Sequence, residues 1–313
     1  MIRLEDTTVP AISETIREEK ARRGAAAVGM VLTLIVVADE EEQADALTAA
    51  SQAAAEHPMR ILGIIPRPGR GAAQLDAEVS VAGADGPGEL VTMRLRGAMA
   101  SHTASVALPL LIPDAPVVVW WASHAPKAPS QDPLGMLARR RITDASLAAR
   151  SRAELQMHAS QYAPGDTDLA WTRVTGWRAL LAAALDRPHA PVVSAEISAV
   201  RSSPSAPLLA AWLHTSLGVP VTMHASRGPG ITSVRLHTAD GEISMTRRDG
   251  VKTLLSVPGY PTSEVSLRRR DTKDLLLEEL RRLDPDEVYE QSLLASPAFY
   301  PDHAERNESH DGT

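Results

Sequence analysis

Apolar and polar positions recur with two different periods along the chain, and the changes of period mark out its elements. The run "GMVLTLIVV" is apolar and β-branched over about 30–37, which predicts a buried strand. It is followed at about 40–56 by "EEEQADALTAASQAAAE", where Glu40, Glu41 and Glu42 favour the positive end of a helix dipole. "MRILGII" reads as the next strand. "QLDAEVSVA" and "ELVTMRLRG", separated by the turn-forming "GADGPG", read as an antiparallel hairpin. A short helix near 99–107 and the strand "APVVVWW" at 115–121 complete a β-α-β-β-β-α-β pattern.

After Trp121 the proline-rich "ASHAPKAPSQDP" predicts a surface loop, and helical segments follow through about 186. A second series then starts with the strand "APVVSAEISAV" and the helix "SAPLLAAWLHTSLG", with Gly218 as its C-cap. The strands "PVTMHAS", "ITSVRLHTA", "EISMTRR", "VKTLLSV" and "SEVSLRRR" come next, with a turn at Asp240-Gly241. "TKDLLLEELRRL" and "PDEVYEQSLLA" each present one apolar face and should pack on a sheet. The pattern predicts an α/β protein of two mixed-sheet units joined by a helical segment. The expected domains are 1–160, 161–300 beginning with a long central helix, and a disordered tail at 301–313. The second half repeats the first half's order of elements, which suggests a duplicated β-α-β-β-β module.

Composition narrows the function classes. With 44% hydrophobic and 23% charged residues, the 313-residue chain is of ordinary globular make-up. A net charge of −7 with scattered arginines argues against nucleic acid as a partner. The N-terminus has no apolar core region, and the apolar run at 25–38 is shorter than the roughly 20 residues a membrane span needs. The expectation is therefore a cytoplasmic protein with no membrane partner. No cysteine is present, which removes disulfides, thiolate nucleophiles and zinc-thiolate sites.

Motifs for bond-making chemistry are missing. Gly69-x-Gly71 follows a strand, but Gln74 stands where the dinucleotide fingerprint needs its third glycine, and a strand rather than a helix comes next. The ten histidines show no metal-ligand spacing, and nucleophile-elbow and kinase signatures are absent. No cofactor, metal or catalytic residue is expected. The arginine triplets 139–141 and 268–270 read as solvated, salt-bridged surface, the second alternating faces along a strand.

The stretch "PGDTDLAWTRVTGWRALLAAALDRP" at 164–188 is richer. Asp166 is placed as the N-cap of a helix running about 18 residues to Asp186, with Asp168 in its first turn. On such a helix Asp168, Trp171, Thr175 and Arg178 share one stripe, and Trp177, Leu180, Leu181 and Ala184 another. The mixed stripe has three readings: buried structure, a partner-binding face rich in hot-spot residue types, or a catalytic carboxylate pair. Trp120 and Trp121 end a strand, so one ring faces each side of the sheet. The partner-binding set expected from these features is Trp120, Trp121, Asp166, Asp168, Trp171, Arg173 and Arg178.

"LIPDAPVVVWW", "DPLG", "RRITDAS" and above all "YAPGDTDLAWTRVTGWRALLAAALD" resemble the glucose-6-phosphate dehydrogenase assembly proteins, the OpcA family, in their actinobacterial form. The likeness covers most of the chain. It implies a non-enzymatic partner that binds glucose-6-phosphate dehydrogenase, promotes its active oligomer and raises its activity at the entry to the oxidative pentose phosphate pathway. Some photosynthetic relatives act under thioredoxin control, and this chain has no cysteine for that mode. The competing class is a sugar-phosphate enzyme or metabolite sensor, using the loops near 66–71 and 122–133 with Asp132 or Asp168 as base.

Overall fold

A computed structural model describes residues 1–23, 29–81, 88–247 and 249–300. Residues 83–87 of the predicted "GADGPG" turn and the predicted 301–313 tail lie outside the described residues.

In chain order the elements are β1 (Ile2–Leu4), α1 (Val9–Arg23), β2 (Leu32–Val37), α2 (Gln43–Ala53), β3 (Met59–Arg67), β4 (Gln74–Val81), β5 (Gly88–Arg96) and α3 (Thr103–Ala107). There follow β6 (Val117–Trp121), β7 (Arg140–Thr143), α4 (Ser151–Ser160), β8 (Asp166–Asp168), α5 (Leu169–Thr172), α6 (Thr175–Leu185), β9 (Val192–Ala199) and α7 (Ser205–Leu217). The remainder is β10 (Val221–Ala225), β11 (Ile231–Thr238), β12 (Gly241–Thr246), β13 (Lys252–Ser256), β14 (Ser263–Ser266), α8 (Thr272–Arg281) and α9 (Glu287–Ala295). None of the described helices is long and apolar enough to cross a membrane.

The chain enters each of two compact units more than once. The first consists of Met1–Ala148, Gln161–Thr172 and Arg270–Asp286; the second of Ala149–Ser160, Arg173–Arg269 and the segment from Glu287 onward. The interleaving differs from the single division at 160/161 expected from the sequence. Its cause is visible in the apolar pattern: α8 carries a leucine face that belongs to the first unit's core.

The first unit is an eight-stranded sheet in the order β1-β4-β5-β3-β2-β6-β7-β8. The strands from β5 to β8 are mutually parallel, and β4 and β1 add antiparallel pairings at one edge. The predicted hairpin forms with Gln74 opposite Arg96 and Val81 opposite Glu89. One face of the sheet buries Leu34, Val36 and Trp120 with the alanines of α2 and with Leu275, Leu276, Leu277 and Leu280 of α8. The other buries Ile35, Val119 and Trp121 with Ile12 and Ile16 of α1 and Val106 of α3. The continuous apolar runs of β2 and β6 follow from burial on both faces.

The second unit is a six-stranded sheet in the order β10-β9-β11-β12-β13-β14, in which β9 and β10 are parallel and the other pairs antiparallel. Ala195, Ile197, Val234, Leu236, Ile243 and Met245 are buried on one face. The helix α7 ends at Gly218 in the left-handed conformation, φ 67°, as its C-cap role requires, and α9 packs against α7. The two sheets are not copies of one module. In the first, β3 continues the sheet into parallel β5; in the second, β10 stands at the edge and the chain returns to the far side of β9. The strand β14 stops at Ser266, so Arg268–Arg270 follow it in irregular backbone and the expected strand alternation does not apply to them.

Candidate functional site

The single helix expected over 166–186 is absent. Asp166–Asp168 is the last parallel strand of the first sheet, α5 is a single turn, and α6 starts afresh at Thr175. The stripe of Asp168, Trp171, Thr175 and Arg178 is therefore not one surface, since a break at 173–174 interrupts it and the units divide between Thr172 and Arg173. The sequence misled here because a three-residue strand offers no period to read.

What the "RRITDAS" and "PGDTDLAWT" motifs build is a buried polar lattice. Arg141 pairs with Asp166, and its guanidinium also donates to Pro164 O at 2.6 Å and Ala138 O at 3.1 Å. Asp166 Oδ2 accepts from Ala163 N–H at 2.9 Å. Gly165 makes this possible: at φ +96° its Cβ would lie 2.7 Å from Arg139 O and 3.1 Å from Arg141 Nη2. Asp168 is 0% exposed and accepts from Thr143 Oγ1 at 2.6 Å, Ala145 N at 2.9 Å and Ala170 N at 2.8 Å. The last of these caps α5, so Asp168 rather than Asp166 serves a helix start. Trp171 is buried and its indole N–H donates to Asp286 Oδ2 at 2.9 Å.

Arg140 and Arg141, expected on the surface, are 4% and 8% exposed. Arg140 pairs with Glu279 of α8 through Nε at 3.1 Å and Nη2, and Nη1 reaches Asp284 O at 2.7 Å. Glu279 also accepts from Thr172 Oγ1 at 2.6 Å. Sequence reasoning missed Glu279. The signal was an acid on the leucine face of "LLLEELRRL", a position where burial demands a cation. Arg139 stays exposed and pairs with Asp284 at 2.5 Å, and Arg270 pairs with Glu278 and donates to Thr172 O.

Of the seven expected contact residues, Trp120, Trp121, Asp166, Asp168 and Trp171 are thus buried inside the first unit. The two adjacent tryptophans do lie on opposite faces of the sheet. Arg173 and Arg178 are half-buried in the second unit, with Arg178 Nη2 donating to Thr175 Oγ1 at 3.0 Å. The catalytic-pair alternative loses its geometry, because both carboxylates are enclosed and occupied by protein donors.

A different location is where sheets of this strand order commonly place their ligands. Leaving β4 aside, the parallel strands run β5-β3-β2-β6-β7-β8, the 3-2-1-4-5-6 order of a doubly wound nucleotide-binding sheet, which reverses between β2 and β6. These strands end in register at Val37 and Trp121, and ligands of such sheets bind just beyond that point. In a dinucleotide site the turn there is glycine-rich and its amides hold the pyrophosphate at a helix N-terminus. Here it reads Asp39-Glu40-Glu41-Glu42 before α2, without a glycine. His124 Nδ1 lies 2.7 Å from Asp39 Oδ2, and Asp39 N–H donates to Ser123 Oγ at 3.1 Å. Glu40 accepts from Arg67 Nε at 2.7 Å, a bond that holds its carboxyl below the usual range. The Gly69-x-Gly71 loop joins β3 to β4 with no helix after it, as the sequence suggested. Among the described residues no cluster of three or more His, Asp or Glu side chains is suited to a metal ion.

The strand order defines a two-sheet α/β protein in which carboxylates stand where sheets of this order commonly hold a phosphate. The chain belongs to the OpcA family of glucose-6-phosphate dehydrogenase assembly proteins. Residues 50–160 match the family model described as the glucose-6-phosphate dehydrogenase subunit N-terminal domain, and residues 164–293 match the corresponding C-terminal domain. No curated protein matches the chain. Among solved structures it is similar to a 3-ketoreductase from Actinomadura kijaniata in complex with NADP and TDP-benzene, at 10% identity and TM-score 0.47, covering 85% of this chain and 94% of that one. An oxidoreductase from Sinorhizobium meliloti is similar at 11% identity and TM-score 0.41, covering 89% and 90%.

Proposed function

We propose that the chain is a non-catalytic effector that binds glucose-6-phosphate dehydrogenase, promotes its active oligomer and raises its activity. The family supports the partner. The observation that carries the non-catalytic part is the carboxylate-rich turn Asp39–Glu42 beside the reversal of strand order, where an acidic helix entry repels the pyrophosphate that a hydride-transfer enzyme must hold. An effector of this kind acts by binding the active state of the enzyme better than the inactive one. A coupling of about 1–3 kcal/mol gives a roughly 5- to 150-fold change in apparent affinity.

The test mixes the purified protein with glucose 6-phosphate and NADP, with and without the dehydrogenase. NADPH formation should rise only in the mixture containing the dehydrogenase, and turnover by the protein alone overturns the proposal. Within the set expected from the sequence, Arg173 and Arg178 are half-buried where the other five are buried, and the contact is assigned to them. The variant Arg173→Ala with Arg178→Ala should weaken activation by more than about tenfold, an interface loss of roughly 1.4 kcal/mol. Undiminished activation by this variant removes the contact from 173–178.

A further inference from the structure

The second unit contains a cavity of ≈ 330 Å³ that follows its edge strand β10. All of Val221–Ala225 line it, together with Ala199, Arg152, Arg201, Phe299 and Tyr300. Because β10 ends the sheet order, the side of its backbone away from β9 has no strand partner among the described residues.

Two guanidinium groups meet at this cavity. Arg152, on α4, is half-buried, its Nε is enclosed without a hydrogen-bond partner, and its guanidinium lies 5.9 Å from the centre of the Tyr300 ring. Arg201, in the turn after β9, is exposed. Neither forms an ion pair with a carboxylate among the described residues. Burial pulls the Arg152 guanidinium below the ordinary arginine range, Tyr300 works against that shift, and the charge of Arg201 adds to it. An anion placed between the two arginines relieves both the burial and the repulsion. Phe299 is packed edge-on against His214 at 5.8 Å, which fixes one wall, while Val221, Met223 and Ala225 alternate along the strand with Thr222 and His224. The imidazole of His224 lies 3.7 Å from the carboxylate of Glu196.

We infer that this cavity binds a small phosphorylated metabolite, with the guanidinium groups of Arg152 and Arg201 on the phosphate and the aromatic and aliphatic walls against the carbon skeleton. Its volume stands at the lower end of small-ligand pockets, roughly 300–1,000 Å³, which suits one compact organic phosphate. Arginine supplies the planar donors that match phosphate oxygens in pairs. The site lies on a different unit from the carboxylate-rich turn and does not depend on the partner proposed above.

Isothermal titration of the purified full chain, without the dehydrogenase, tests it using glucose 6-phosphate, 6-phosphogluconate, inorganic phosphate, glucose and an acidic decapeptide. At least one sugar phosphate should bind at millimolar concentration or tighter, more tightly than inorganic phosphate, and glucose should give no heat. Arg201→Met, at an exposed position, should weaken binding about tenfold, and Arg152→Met together with Arg201→Met should abolish it. Amide and imidazole NMR signals of β10 and His224 report occupancy of the wild-type chain independently of any variant. The inference is overturned if neither sugar phosphate binds, if inorganic phosphate binds as well as both, if the decapeptide alone binds, or if Arg201→Met leaves affinity unchanged.

Discussion

Replacing Glu279 by leucine places a charge problem inside the first unit. Arg140 has a side chain 5% exposed and would lose the acceptor for its Nε and Nη2 donors, keeping its bond to Asp284 O. Thr172 Oγ1 would lose its acceptor as well. Breaking a buried ion pair by removing one partner costs about 3–5 kcal/mol, because the survivor is left as an uncompensated charge. That is a large part of the roughly 5–15 kcal/mol by which a domain is stable. Hydrogen exchange read by mass spectrometry on peptides covering 140–143 and 272–281 isolates this unit from the other. At 1.4 kcal/mol per factor of ten, Glu279→Leu should speed their exchange roughly 100- to several-thousand-fold. Adding Arg140→Met removes the stranded charge, and the apolar pair should recover most of the protection. An acceleration below about tenfold, or a double variant no better protected than the single one, refutes the account of Arg140 and Glu279 as a mutually dependent buried pair.

Asp168→Ala leaves Thr143 Oγ1 and the amides of Ala145 and Ala170 without their acceptor. At about 1–2 kcal/mol per stranded buried donor, the loss is roughly 3–6 kcal/mol and should lower the melting temperature by 10 °C or about that; a change under about 2 °C contradicts the lattice. Asp249 accepts from the amides of Lys252 and Val251 at 2.9 Å each, and these bonds hold its carboxyl below the ordinary aspartate range. A depressed carboxyl stabilises the fold above its unfolded pKa, and the contribution disappears as pH falls through the lower folded pKa. Carboxyl NMR should therefore show Asp249 titrating at a lower pH than in Asp249-containing peptides, and a titration at the peptide value refutes the capping.

Elements with a sustained period were legible in the sequence: β2, α2, the β4–β5 hairpin, α7 and its Gly218 cap, and the strands β9 to β13 of the second sheet stand where the pattern put them, while β14 stops short of the arginines. The opening elements β1 and α1 were not read, because Val9–Arg23 mixes charges around the helix with little apolar bias. The candidate site failed for a related reason. Asp166, Asp168, Trp171 and their arginine neighbours look like an exposed hot spot when taken by composition, whereas Trp171 bonds Asp286 and Arg140, read as surface, bonds Glu279, each more than 100 residues away, and no local pattern reports such a pairing. The missing glycine in the Asp39–Glu42 turn, by contrast, is a local fact, and it was readable once the strand order showed where to look.

The return of α8 to the first unit has a consequence for biosynthesis. Leu275, Leu276, Leu277 and Leu280 cover the face that contains Leu34, Val36 and Trp120, and at about 1.5–3 kcal/mol per leucine they supply roughly 6–12 kcal/mol as an upper bound. A ribosome that has made the first 160 residues has therefore produced a sheet it cannot yet close, and some 110 more must emerge before the covering helix does. Expression of the amino-terminal half by itself should yield a sticky, chaperone-bound fragment rather than a domain.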